Sequence, residues 1–367
     1  MIFNICLVII ILLVYIFTKD KKNKNNNTLF LKLIFIIFTI LVASREMTRG
    51  NDTQMYLKLF ERCSRLRWEA VTFDGYFEGG YLIFNVLISY ISSSKRFFMI
   101  VMSIIFNCVV YCFIKKNSKN YLLSILFYVC MLFFYTSMTM MRQFMALMIV
   151  LSGFKFIKEK KPIFFVSTVI LASLIHSSVW LTLFYYPLYN LKYTKKISIM
   201  VIIVSIIATI NIGPIINYIY SLLGRTNYYV SRIGSDSLAN TLYTIVYLFM
   251  YLFAIYEMKK NGNKGFELRE NHFYLYILLF ATSVNLIATN MNVLSRAAFY
   301  YEFLSIIAFP NIIETSISKI NNRRLVYIII FTFLILHSEI IMYYRPEWNS
   351  AYDYKSCIIQ KYDYICE

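Results

Sequence analysis

Five short stretches place charged or hydrogen-bonding side chains inside or beside long apolar runs. "SREMTRGNDTQMY" (44–56) carries Arg45, Arg49, Asp52 and Tyr56. Asp52 and Tyr56 are four apart and share a face if a helix begins near Asp52, where Asp52-Thr53 could also cap it. Capping alone would explain Asp52 but not the arginines. "FEGGY" places Glu78 before two glycines that permit a sharp entry into a helix. A carboxylate there is either a solvated loop residue or, at a cavity floor, a group able to accept a hydroxyl proton. "MMRQFMA" puts Arg142 and Gln143 between apolar helices, where an arginine either snorkels to the interface or serves a site. "LIHSSVW" sets His176 and Ser177 at a hairpin apex, His176 being either a satisfied buried histidine or a base. "NVLSRAAFYYEF" opens with Arg296 and continues into Tyr300, Tyr301 and Glu302. Tyrosines at such a depth are mostly aromatic-belt residues, so Arg296 is the stronger candidate there. Glu302 and Glu339 could each pair with an arginine.

Other chemistries find no footing. Cysteine and histidine spacings do not suit a metal, and no Asp-x-Asp is present to hold a metal-bound nucleotide, so no metal and no cofactor are expected. A phosphate-cradling glycine loop is missing, which disfavours ATP-driven or nucleotide-fed chemistry. Cys108 and Cys112 read as small apolar residues of one helix. Cys357 and Cys366 could bond only if the tail lies outside the cell.

The elements that must position these residues are membrane helices. The chain has 367 residues, 59% hydrophobic and only 15% charged, against roughly 25% charged in soluble domains. It reads as one all-α polytopic transmembrane domain over 1–367. About twelve spans are expected, at 2–18, 28–44, 96–114, 120–138, 142–157, 162–176, 178–191, 197–219, 238–256, 272–289, 297–313 and 325–343. The first lacks a positive n-region and a cleavage site, so it is expected to remain as a span. Residues 80–93 are too short to cross. Treated as re-entrant or interfacial, they let six lysine-bearing loops fall on one side, as the positive-inside rule requires. Both termini, the loop 45–79 and the tail 344–367 are then outside.

This threading exposes an asymmetry. Inner loops hold seventeen lysines and three arginines, whereas the outer side, leaving aside Lys95 and Arg96 at the head of the 96–114 span, holds ten arginines and three lysines (Lys58, Lys355 and Lys361). Arginine makes bidentate bonds to phosphate and keeps its charge when partly buried. An outer cavity receiving an anionic ligand follows. The net charge of +18 is scattered over short loops, which points to anionic lipids rather than nucleic acid.

The stretches "SREMTRGNDTQMY", "FEGGYLIFNVLISYI" and "MMRQFMALMIVLSGFKFIKEKKPIFFVSTVILASLIHSSVWLTLFYYPL" together resemble the EpsG family of Wzy-type polysaccharide polymerases, in order from about residue 40 to 190. The Arg-Gln-x-x-Ala helix followed by a helix ending in His-Ser is the most specific part. The resemblance implies a GT-C-like fold in the bacterial inner membrane, with an active site facing the periplasm. It implies an inverting, metal-independent glycosyltransferase that joins undecaprenyl-diphosphate-linked oligosaccharides, with a separate chain-length regulator as a candidate partner. Arg142, Arg296 and either Arg45 or Arg49 would hold the departing diphosphate. Glu78, Asp52 and His176 compete for the role of base, with Gln143, Tyr56, Ser177 and Tyr301 in support. Two rival classes use the same residues: a flippase gripping the diphosphate without chemistry, and a membrane acyltransferase with His176 as base.

Overall fold

The computed structural model describes residues 2–18, 27–72, 75–222, 238–260, 264–291, 294–316 and 320–357. Its helices gather into two compact units, Met1–Trp180 with Arg324–Glu367, and Leu181–Arg323. In the first unit these are α1 (Ile2–Phe17), α2 (Thr28–Ser44), α3 (Thr53–Leu66), α4 (Gly79–Ile91), α5 (Lys95–Asn117), α6 (Tyr121–Cys130), α7 (Phe133–Thr139), α8 (Met141–Ser152), α9 (Phe154–Lys158) and α10 (Pro162–Ser173). The second holds α11 (Tyr185–Asn190), α12 (Lys195–Leu222), α13 (Leu238–Lys260), α14 (Arg269–Ala288), α15 (Ser295–Phe303) and α16 (Ser305–Ser316). Most of α17 (Ile320–Tyr344) belongs to the first. Among the described residues the one β feature is an isolated bridge between Arg45 and Ser356.

Among the described residues five helices are long and apolar enough to cross a membrane, and a sixth span arises if α6 and α7 count as one. The expected span 120–138 is therefore interrupted. Leu132 adopts φ 67, in the left-handed region, and the axis bends by 52° between α6 and α7. The expected span 142–157 likewise stops at Ser152, and α9 resumes after Gly153. The stretch 297–313 divides at Leu304 into α15 and α16. Residues 178–191 are not a regular span. They form a 3-10 segment, Ser177–Phe184, followed by the short α11.

Local chemistry explains where the helices start. The side chain of Asn27 accepts from the Leu29 and Phe30 amides, that of Ser94 from Phe97 and that of Asn120 from Leu123, each satisfying donors that a helix start leaves orphaned. Pro162 occupies the first turn of α10, where its missing N–H costs nothing.

Within the first unit, α2 and α5 run antiparallel. The Ser103 hydroxyl donates to the Thr39 carbonyl (2.7 Å), and Arg96 at the start of α5 donates to the carbonyls of Ala43 (2.8 Å) and Arg45 (2.6 Å) at the end of α2. Arg45 Nη2 donates in turn to the Met138 carbonyl just before α8. The end of α2, the start of α5 and the α7–α8 junction thus meet at one end of this bundle. Both ends of α4 lie there too, since it begins beside Arg142 of α8 and leads directly into α5. It does not cross. α3 is strongly amphipathic. Tyr56, Leu57, Phe60 and Cys63 are buried on one face while Lys58, Arg62 and Arg65 are exposed. Phe60 stacks on Phe98 of α5 at 4.7 Å, which docks this layer over the helix ends.

In the second unit α14 is the central helix, with buried residues on every side. Amides and hydroxyls tie its neighbours together. Asn240 donates to the Ala288 carbonyl (2.8 Å), Asn311 to Tyr274 Oη (3.0 Å) and Asn285 to Glu302. Such bonds hold helices where no hydrophobic effect acts between them.

Candidate functional site

Glu78 stands at the head of α4, where Gly80 packs against α10. A Cβ at Gly80 would lie 2.6 Å from the Leu174 carbonyl, and the Tyr81 amide donates to that same oxygen at 3.2 Å. Only glycine allows the first turn of α4 to come this close to the end of α10. The contact brings Glu78 under the 176–177 turn that terminates α10.

Three elements close on the Glu78 carboxylate. Oε2 accepts from Nη1 of Arg142 at 2.7 Å. Oε1 accepts from the Ser177 amide at 2.8 Å and lies 3.2 Å from Nδ1 of His176. Ser177 therefore contributes its main-chain amide. Arg142 Nη1 also donates to the Tyr76 carbonyl (3.1 Å), and its guanidinium lies 5.2 Å from the ring centre of Tyr76 and 5.0 Å from that of Phe77. The Arg142 side chain is 6% exposed, that of His176 12% and that of Glu78 21%. The group is recessed but reachable.

Electrostatics set the protonation of Glu78. Burial acts to raise its pKa, but the His176 hydrogen bond, the Ser177 amide and the Arg142 charge outweigh burial and hold the carboxyl down at about 2. Glu78 is thus a fixed carboxylate. A carboxylate only accepts hydrogen bonds, so His176 Nδ1 must donate. Its Nε2 has no hydrogen-bond partner among the described residues. The other two histidines are used structurally. His272 Nδ1 accepts from the Tyr193 amide and His337 Nδ1 lies 2.9 Å from the Cys130 carbonyl.

The remaining sequence candidates take other places. Arg45 is 1% exposed, and its guanidinium is spent on the carbonyls of Val42 (2.8 Å), Met138 (3.2 Å) and Arg49 (3.4 Å). It is a clamp on main chain, not a donor turned toward a ligand. Arg49 pairs with Glu46 (3.2 Å) and with Asp353 (2.9 Å) of the C-terminal segment. Asp52 heads α3 without a side-chain capping bond, so the capping role does not hold. Thr53 Oγ1 instead donates to the carbonyls of Arg49 and Met138. Tyr56 is buried, its ring 6.0 Å from that of Tyr81, one turn into α4 from Glu78. Gln143 is buried next to Arg142 in the first turn of α8.

Arg296 and Tyr301 belong to the second unit. Arg296 is exposed in the first turn of α15, and Tyr301 is buried with its hydroxyl on the Leu181 carbonyl (2.9 Å). Glu302 takes the Asn285 amide and, in the first unit, Glu339 takes the Asn4 amide at 2.7 Å. An amide stands where an arginine was expected. Cys357 hydrogen-bonds Arg96, and Cys366 lies outside the described residues.

Two residues that the sequence did not single out matter here. Arg96 ties α2, α5 and Cys357 together. Tyr76, beside Phe77, supplies both a carbonyl and a ring to Arg142. The only signal for either was position. Arg96 opens an apolar helix, and Tyr76 and Phe77 directly precede Glu78.

A family model described as the EpsG family matches residues 28–356, nearly the whole chain. No curated protein and no solved structure matches it.

Proposed function

The chain belongs to the EpsG family of polysaccharide polymerases, and from that premise we propose that it joins lipid-linked oligosaccharide repeat units by inverting, metal-independent glycosyl transfer. The substrates are undecaprenyl-diphosphate-linked donor and acceptor. The reaction takes place at the periplasmic face of the bacterial inner membrane, on a single GT-C-like membrane domain of about twelve spans. The shorter apolar helices α1, α2, α8 and α10 would cross beside the five or six long ones.

One observation carries the proposal: the Glu78 carboxylate held between Arg142, His176 and the Ser177 amide. An inverting transfer needs one base opposite the leaving group. His176 fits that role better than Glu78, because a carboxyl held at about pKa 2 is a weak proton acceptor at neutral pH. Glu78 orients the imidazole and fixes its tautomer. The acceptor hydroxyl attacks the anomeric carbon as its proton passes to His176 Nε2. The bond from that carbon to the lipid diphosphate breaks, and the electron pair leaves on the phosphate.

Arg142 holds Glu78 through Nη1. Its Nη2, which makes no hydrogen bond among the described residues, is the donor available to the developing phosphate charge. Arg49 and Arg296 are further candidates for the diphosphate, and Asp52 an alternative base. Arg45 is assigned a structural role.

The test is purified protein in nanodiscs with one lipid-linked repeat unit. A ladder of lengthening glycans supports polymerisation. Unchanged glycan that has crossed the bilayer of a sealed vesicle would instead mark a transporter, and acyl transfer to the glycan would mark an acyltransferase.

A further inference from the structure

The α2–α5 pair carries a second feature, at the far end from Arg96 and Glu78. A groove of about 410 Å³ runs between the two helices, lined by Lys32, Phe35, Ile36 and Ile40 of α2 and by Ile104 and Tyr111 of α5 among others. That volume lies in the range of roughly 300–1,000 Å³ typical of small-ligand pockets. Its polar wall residues turn away from the groove. Thr39 Oγ1 bonds the Phe35 carbonyl of its own helix (2.7 Å), and Asn107 Nδ2 bonds the Ser103 carbonyl of its own (2.9 Å). The isoleucine side chains face outward, Ile36 55%, Ile40 54% and Ile104 46% exposed. The groove is therefore carbon along its length.

Its ends differ. Ile40 and Ile104 lie toward the end where Arg96 binds the carbonyls of Ala43 and Arg45. At the other end stand Lys32, exposed on α2, and Tyr111, whose ring lies 5.6 Å from Lys115 Nζ. Lys116 is exposed on the next position. Along α2, Lys32 to Ile40 spans about 12 Å at 1.5 Å per residue. Cations at one end and an apolar channel leading away from them match the layout of one membrane lipid, an anionic phosphate followed by an acyl chain. Basic pockets between membrane helices recognise headgroups in this way.

We propose that this groove is a binding site for a bilayer phospholipid with an anionic headgroup. The phosphate rests on Lys32 and Lys115, and an acyl chain lies along Phe35, Ile36, Ile40 and Ile104. A phosphate held there sits at the end of the helix pair opposite the Glu78 cluster, so the site is separate from the reaction. The bound lipid fills the seam between α2, whose end is held by Arg45 and Arg96, and α5.

The experiment uses full-length protein in phosphatidylcholine nanodiscs doped with phosphatidylglycerol that carries a diazirine in its acyl chain. Illumination should label peptides containing 32–40 and 104–111. Unlabelled phosphatidylglycerol should displace the label and additional phosphatidylcholine should not. Lys32→Gln with Lys115→Gln should lower labelling about tenfold or more, from the loss of two headgroup cations. Ile36→Trp, which fills the groove and leaves both lysines, should abolish labelling at 104–111. Displacement by phosphatidylcholine as effective as by phosphatidylglycerol would show an ordinary boundary lipid and overturn the proposal. So would stronger displacement by undecaprenyl phosphate, or wild-type labelling in the Ile36→Trp protein.

Discussion

Nδ1 of His176 stands 3.2 Å from Oε1 of Glu78, although the two residues are 98 apart in the chain. The contact exists because Gly80 lets α4 start against Leu174, at the end of α10. It converts two separate candidates into an ordered pair with different tasks. The carboxylate accepts and orients, and the imidazole presents its far nitrogen. Arg142 closes the pair from the other side and balances its charge.

The roles in this pair predict distinct kinetic losses. His176→Ala should lower the rate of repeat joining by about 10²–10⁴, the usual contribution of a positioned base. Glu78→Gln should lose a comparable factor in kcat with little change in KM, because an amide can turn its N–H toward Nδ1 and select the wrong tautomer. Single-turnover assays with a lipid-linked repeat unit measure both. Near-wild-type turnover in His176→Ala, with the Glu78 variant inactive, would move the proton to Glu78 and end the assignment.

Arg142 and Glu78 form a recessed ion pair, so removing one partner should cost more than removing both. Arg142→Met leaves a carboxylate without its counter-charge and should destabilise the protein by about 3–5 kcal/mol. Arg142→Met with Glu78→Gln should regain most of that stability but no activity. Arg142→Lys should also fail as an enzyme, because Nη1 alone holds both Glu78 and the Tyr76 carbonyl, and an ammonium has no second nitrogen to turn toward the phosphate. Thermal unfolding in nanodiscs, read beside the ladder assay, separates stability from chemistry.

The depressed pKa of Glu78 fixes a pH window. A carboxyl held at about 2 in the folded protein, against an ordinary value of 4.5, contributes stability that is complete above 4.5. That contribution declines as pH falls from there through about 2. The stability gap between wild type and Glu78→Gln should therefore be flat from pH 7 to 5 and shrink on further acidification, from a plateau on the order of 2 kcal/mol. A gap that grows between pH 5 and 3 would mean that Glu78 is not held as an anion.

Gly80 should tolerate no side chain. Gly80→Ala would push against the Leu174 carbonyl and Cβ and separate Glu78 from the 176–177 turn. Activity should fall at least about tenfold, since a shift of the order of an ångström at a catalytic group costs up to 10²-fold. The protein should still fold, so normal yield and melting temperature with lost turnover is the expected pattern.

Polar residues in apolar runs are conspicuous, and so Glu78, Arg142 and His176 could be read from their stretches before any fold was known. The single turn of chain between Gly79 and Leu82 that joins them was legible only as a pair of glycines. Helix breaks were not legible at all where tertiary packing makes them. Leu132 takes a left-handed conformation with neither glycine nor proline to announce it, and α15 ends at Phe303, likewise with neither beside it. Arg96 is inconspicuous because, beside Lys95, it reads as an ordinary interfacial charge. Its bonds go to main-chain carbonyls, which leave no trace in residue type. The same blindness made Arg45 and Arg49 look equivalent.

Those two arginines can be told apart by what their loss damages. Arg45 is buried and donates to three carbonyls, so Arg45→Met strands acceptors at the meeting point of α2 and α8. It should destabilise by several kcal/mol, about 1–3 for each buried group left unpaired, and sharply reduce the yield of folded protein. Arg49 is partly exposed and held by Glu46 and Asp353, contacts of a kind worth about 0–1 kcal/mol. Arg49→Ala should therefore fold normally. If Arg49 grips the diphosphate, its variant should show a raised KM or a lowered kcat for the lipid-linked repeat, and a truncated substrate lacking one phosphate should be less affected by the substitution. Wild-type kinetics in folded Arg49→Ala would remove this stretch from the substrate site and leave Arg142 as the arginine of the first unit on which the diphosphate depends.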